Sequence, residues 1–298
     1  MIKPYDSKDF DQLYAFYKQE TIHQSFFVLL DKDTFKTHLN HPCFLSMDEK
    51  INGFILGNIQ DHTAYVDYLY GTHSSELIIA FEAHVIKQGV TSIQISFRSP
   101  IKKPFYVYQK DIHLNAQGLL VDSPYQPIYL SHGYKITSYQ STYHMALEHY
   151  QLPLDLKDIT LNQAEHRIKV GFYDPTYNIK YLIDNMHNPD FENALLSNLD
   201  RLEPRPLLVG VKDHQVIGFA GPLSVLNGHG RFQGISVLPN FQGLKVGKVL
   251  FNLMCHHLKD MGATYITLFT GDDNPARFLY EQTGFVKKHT FMMLKKEL

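Results

Sequence analysis

Residues 230–251 read GRFQGISVLPNFQGLKVGKVLF, and this stretch decides the architecture. Apolar and aromatic residues over 232–237 predict a strand, Pro239 ends it, and the apolar spacing over 247–258 predicts an amphipathic helix. Between the two runs Gln242-Gly-Leu-Lys-Val-Gly247. A glycine-bearing loop that enters a helix directly leaves backbone N–H groups unpaired at the positive end of the helix dipole, which suits a phosphate or pyrophosphate. The loop lacks the G-K-[ST] ending of a nucleotide phosphate loop and the G-x-G-x-x-G of dinucleotide folds, so triphosphate hydrolysis and nicotinamide binding drop out as first readings. Glycine before a helix is also common for structural reasons alone, and the loop by itself leaves that reading open.

Working outward, the chain repeats itself. Asp48-Glu-Lys-Ile-Asn-Gly-Phe54 parallels Asp213-His-Gln-Val-Ile-Gly-Phe219, each a turn followed by an apolar run. SELIIAFEAHVIKQGVTSIQISF parallels GKVLFNLMCHHLKDMGATYITLF, each an amphipathic helix closed by Gly89 or Gly262 and then a strand. Tyr129-Leu-Ser-His-Gly-Tyr134 parallels Tyr280-Glu-Gln-Thr-Gly-Phe285, each a helix ending at glycine before a further strand. The interval from Gly53 to Gly89 is eight residues shorter than that from Gly218 to Gly262, and the first copy carries an aromatic insertion around PFYVYQKDIHL. That insertion either lines a cleft or forms a hairpin packed on its own domain. The Pro-containing polar stretch HYQLPLDLKDITLNQAEH is the natural joint, giving domains 1–150 and 151–298. Strands and helices mixed in this order predict an α+β fold of mixed α/β layers, two copies in tandem, each a mostly antiparallel sheet flanked by helices.

Composition narrows the function classes. The 298 residues are 44% hydrophobic and 19% charged, enough apolar side chain for a substantial core in each half. Twenty-eight basic against 30 acidic residues give a net charge of −2 with no basic stripe, which argues against nucleic acid or an acidic membrane as partner. No stretch has the length of a signal peptide core or a membrane span, and a cytoplasmic location is expected. Cys43 and Cys255 are the two cysteines, read as buried thiols, and the 17 histidines show no metal-ligand spacing, so no metal is expected.

With these residues in view, the second half resembles the GNAT family of acetyl-CoA-dependent N-acetyltransferases. That family has a strand ending in Val-x-Pro, a loop of the form [QR]-x-x-G-x-[GA] opening a helix, and later N-x-x-A-x-x-x-Y-E-x-x-G-F. Here stand Val237-Leu-Pro239, the 242–247 loop, and DDNPARFLYEQTGF with Ala276, Tyr280, Glu281, Gly284 and Phe285 in step. The resemblance covers about 207–294, and residues 1–150 look like a degenerate second copy. Two departures stand out. Lys245 occupies the place of the family's middle loop glycine, and Asp273 the place of its asparagine, with Asn274 one step late and equally readable as a helix N-cap before Pro275.

The resemblance implies an N-acetyltransferase that moves an acetyl group from acetyl-CoA, its cosubstrate, to a primary amine of a small molecule or peptide. It implies that the backbone of Ile235, Ser236 and Val237 pairs with the pantetheine arm, with the Val237 N–H donating to the thioester oxygen. Gln242, Gly243, Leu244, Lys245, Val246, Gly247, Lys248 and Asn274 would bind the coenzyme, and Tyr280 would protonate the departing thiolate. His229, Asp272 or a water chain are the candidates for a base, which the sequence does not tell apart. The first copy, with no Val-x-Pro and no glycine pair before its helix, is expected to be non-catalytic. A non-catalytic acyl-CoA-binding sensor and a scaffold with two inactive copies are the competing readings.

Overall fold

The computed structural model describes residues 1–298, which group into two compact units. The first half runs β1 (Ile2–Pro4), α1 (Phe10–Gln24), α2 (Lys32–His38), β2 (Cys43–Met47), β3 (Ile51–Gln60) and β4 (Thr63–Gly71). It continues through α3 (Ser74–Ile86), β5 (Ser92–Ile95), β6 (Phe105–Tyr108), β7 (Asp111–His113), β8 (Leu119–Leu120), α4 (Gln126–Ser131) and β9 (Lys135–Ala146). The second half runs α5 (Leu156–Glu165), β10 (Ile168–Phe172), α6 (Ile179–Met186), α7 (Pro189–Leu199), β11 (Leu208–Lys212), β12 (Gln215–Leu226) and β13 (His229–Val237). It ends with α8 (Val246–Asp260), β14 (Tyr265–Gly271), α9 (Ala276–Thr283) and β15 (Val286–Glu297). Setting α5 and β6–β8 aside, the two halves share one element order, as the sequence repeat predicts.

Unit 1 comprises residues 1–143, 268–277 and 287–298. Its strands lie in the order β1-β2-β3-β4-β5-β15 with β9 beyond; from β1 to β15 the neighbours are antiparallel except where β4 meets β5. Burial on both faces of β3 and β4 explains their long apolar runs, because helices cover each side. Leu13, Tyr17, Phe35, Phe54 and Tyr68 pack on the α1–α2 face, and Ile55, Val66, Leu69, Phe81 and Val85 on the α3 face. Val66 and Leu69 are an odd number of residues apart yet share a face. The β3–β4 register shifts there, making Asp67 the extra residue of a bulge. The aromatic insertion is the β6–β7 hairpin, and its Phe105 and Val107 are buried with Ala116 and Phe291 of the same unit.

Unit 2 comprises residues 144–267 and 278–286. Its strands lie in the order β14-β13-β12-β11-β10. Leu182, Leu195, Val209, Val216 and Phe219 form the core beneath α6 and α7. The helix α8 buries Val246, Val249, Leu250, Phe251, Met254, Cys255 and Leu258, one apolar stripe at helical spacing.

The units do not follow chain order. The boundary read near residue 150 separates the two sequence copies, but the last strand of the second copy pairs in unit 1, with Leu294 opposite Ile95 and Glu297 opposite Ser92. In turn the end of the first copy belongs to unit 2, where the Leu147 N–H donates to the Thr264 carbonyl at 2.8 Å and His144 stacks on Tyr265. Unit 1 thus takes its final strand from the second half of the chain, while only the residues from 144 onward of the first half go to unit 2. Both cysteines are buried and free, and burial pushes both thiols up.

Candidate active site

In unit 2 the parallel pairing of β13 with β14 consists of His229 opposite Tyr265 and Gly230 opposite Ile266. On its other edge β13 remains paired with β12 as far as Gly218 opposite Val237. Residues 231–237 therefore present one strand edge that β14 does not take up. The Leu238 N–H donates to Ile217 at 2.9 Å, on the β12 side. Backbone groups alternate sides along a strand, so the Val237 and Ile235 N–H groups face the open edge and that of Ser236 faces β12.

Beyond the strand, the loop forms the turn the sequence anticipates. Gly243 has a φ of +82° with nothing near its missing β-carbon. The first bond of α8 runs from the Val249 N–H to the Lys245 carbonyl at 3.1 Å, leaving Val246, Gly247 and Lys248 N–H groups without helical acceptors. A β-carbon on Gly247 would meet only Val237 Cγ2, at 3.7 Å. Gln242 Nε2 lies 3.4 Å from the Val237 carbonyl and the Leu244 carbonyl is held by Gln163 Nε2 at 2.8 Å.

Lys245 is the N-cap of α8 and sits in the left-handed region with φ 56° and ψ 16°, the conformation glycine adopts without a steric cost. Its side chain is exposed, turned away from the helix core. Lys248 is not a free cation, because its ammonium pairs with Asp155 at 2.7 Å and holds that carboxyl below its usual range. The Lys248 backbone N–H, not its side chain, is what the site offers an anion.

Tyr280 lies on α9 in the same unit, 8% exposed, its ring 5.0 Å from Phe251 of α8. The Phe285 N–H closes the helix end on the Tyr280 carbonyl at 3.0 Å.

Over residues 172–285 the sequence matches the model of the Acetyltransferase (GNAT) family. That segment is a GNAT-family domain. The chain is 39% identical over 75 residues to a [Ribosomal protein bS18]-alanine N-acetyltransferase of Haemophilus influenzae, covering 25% of this chain and 51% of that protein. It is 34% identical over 86 residues to a mycothiol acetyltransferase of Thermomonospora curvata, covering 28% of this chain and 29% of that one. The matches thus span about half, or less, of these curated relatives. A tandem GNAT protein from the clavulanic acid biosynthesis pathway shares the fold with a TM-score of 0.60 at 11% identity, covering 100% of this chain and 98% of that one.

The structure separates the candidate residues. Residues 231–248 and Tyr280 share unit 2, whereas Asn274 and Asp272 lie in the 268–277 segment of unit 1. Asn274 acts locally, its Oδ1 accepting from the Ala276 N–H at 3.0 Å, the capping geometry of the alternative reading. Asp272 is engaged by the Ser141 hydroxyl and by Lys287 at 3.3 Å. His229 is 5% exposed, shares a 2.8 Å hydrogen bond with Thr267, and stacks on Tyr265 at 4.8 Å. Burial, the Arg231 cation and His144 depress its pKa to about 4, so it is neutral at pH 7 and a poor proton acceptor. The sequence reading missed Gln163, 3% exposed, and Asp155, since a polar residue on a helix nearly eighty residues before the loop carries no local signal.

The first copy has no counterpart to the loop. There β4 ends at Gly71 and α3 begins at Ser74, so only Thr72 and His73 join strand to helix.

Proposed function

We propose that this chain transfers the acetyl group of acetyl-CoA to a primary amine of a small molecule or peptide, at the site formed by β13, the 242–248 loop and α9. The observation that carries the reading is two neighbouring sets of uncommitted backbone donors, the Ile235 and Val237 N–H groups on the open edge of β13 and the Val246, Gly247 and Lys248 N–H groups at the start of α8. Acetyl-CoA supplies the activated acetyl group as a thioester. Gly243, Leu244, Lys245, Val246, Gly247 and Lys248 hold its pyrophosphate through main-chain N–H groups, the Gln242 N–H being spent on the Pro239 carbonyl at 3.2 Å. Ile235 and Val237 align the pantetheine arm along the open β13 edge, Ser236 between them facing β12, and the Val237 N–H stabilises negative charge on the thioester oxygen. Tyr280 donates its phenolic proton to the leaving sulfur. His229, buried and hydrogen-bonded to Thr267, is a weak proton acceptor and is not assigned as the base. Two free, buried thiols are in keeping with a cytoplasmic protein.

Calorimetric titration of the full chain with acetyl-CoA, beside Gly247→Trp, tests the reading. Saturable binding that the tryptophan abolishes supports it, followed by a screen of amines for thiol release. No binding at millimolar ligand refutes it.

A further inference from the structure

Unit 1 contains a cavity of about 470 Å³ that the acetyl-transfer site does not use. It opens where β4 and β5 part, after Tyr65 opposite Gln94, and Val66 and Ile95 lie at its base. The end of α1, the two phenylalanines after it, and the segment leading into α4 form its walls, and no residue of α3 lines it. The size suits a small organic molecule.

Its chemistry is specific. The walls are aromatic, with Phe27, Tyr68 and Tyr125 among them, and Tyr125 is pinned by accepting the Gly71 N–H at 3.1 Å. Three carboxylates line the cavity against a single lysine. That lysine, Lys103, is already committed, donating to the Asp67 carbonyl and lying 5.5 Å from the Phe27 ring and 5.4 Å from that of Tyr68. Asp67, the bulge residue, is 4% exposed and accepts from Asn58 at 2.8 Å. The other two carboxylates, half-buried Glu20 and exposed Asp122, have no ion-pair partner. Phosphate-bearing ligands are disfavoured, because this lining is net negative and the strand-to-helix turn beside it is two residues long.

We infer that this cavity binds a small organic ammonium cation with an aromatic or bulky apolar body. The apolar body fills the space between the aromatic walls, and the ammonium lies at the mouth against Glu20 and Asp122. The wall already accommodates one ammonium, that of Lys103, between two ring faces, which is the arrangement a cation takes beside aromatic rings. The inference is independent of acetyl transfer, since every residue it invokes lies in unit 1.

The test is calorimetry on the full chain without acetyl-CoA, using 2-phenylethylamine, 2-phenylethanol and 3-phenylpropionate as cationic, neutral and anionic probes of one shape. The amine is expected to saturate one site, at least tenfold tighter than the alcohol or the acid. The double variant Glu20→Gln with Asp122→Asn is expected to weaken the amine about fivefold and leave the alcohol unchanged. Gly247→Trp is expected to bind the amine as the wild type does, which keeps this result distinct from any failure of acetyl-CoA binding. Equal binding of amine and alcohol, preference for the acid, no binding at millimolar amine, an amine affinity unmoved by the double variant, or loss of binding in Gly247→Trp would each overturn the inference.

Discussion

Replacing Lys245 isolates the cost of its backbone conformation. The residue caps α8 with φ 56° and ψ 16°, where a β-carbon crowds the following carbonyl at about 1–2 kcal/mol. Glycine removes the crowding but gives the unfolded chain extra freedom worth roughly 0.5–1 kcal/mol, so a net gain of about 0.5–1 kcal/mol remains. Alanine keeps the β-carbon and removes the ammonium, which separates conformation from charge. Lys245→Gly is expected to exceed Lys245→Ala in stability by about 1 kcal/mol in urea, or roughly 2–4 °C in Tm. Both variants lose a cation beside the proposed pyrophosphate site, so each is expected to weaken acetyl-CoA about two- to fivefold at low salt, with the difference fading near half-molar salt. Equal stability of the two variants would refute the strain argument, and undiminished affinity at low salt would refute the contribution of the charge.

Three further expectations follow from the same geometry. Tyr280→Phe should fold normally and bind acetyl-CoA as the wild type does, while kcat for any accepted amine falls by about 10- to 100-fold, read by thiol release. Gly234→Ala places a β-carbon 2.5 Å from the Phe191 ring and should lower urea stability by about 1–3 kcal/mol, with an unchanged value ruling out that close packing. His229 has a folded pKa of about 4, below its ordinary value of about 6.5, so the unfolded state takes up the extra proton between those values and stability falls as pH drops through that window. Relative to His229→Gln, the wild type should lose roughly 3 kcal/mol between pH 7 and pH 4 in denaturant melts, and parallel curves would contradict the burial argument.

The repeat, the strand-loop-helix at 230–251 and the shortened turn of the first copy were legible because each is written in local spacing and glycine placement. Lys245 was legible as a departure from the family's pattern, and its left-handed conformation gives that departure a physical meaning. Asn274 reads as a cap for the same local reason. What stayed out of reach depends on partners distant in sequence. The apolar pattern of β15 says that it is a buried strand, not that its neighbour is β5. Gln163 supports the loop from α5 through one hydrogen bond, and Asp67 owes its orientation to a one-residue register slip, neither of which leaves a trace in periodicity. Sequence also left open which way the 105–113 insertion goes, and burial of Phe105 against Phe291 decided for a hairpin packed on its own unit.

The placement of β15 in unit 1 also sets a clock on biogenesis. The edge of β5 that receives β15 is made when Ile95 leaves the ribosome, yet Leu294 follows only about two hundred residues later. At ordinary elongation rates that edge waits roughly 10–40 s, as an open strand able to pair with another nascent chain. Unit 1 therefore cannot finish until residues 287–298 have been made, and shortening or tethering β15 would act on a half of the molecule translated long before it.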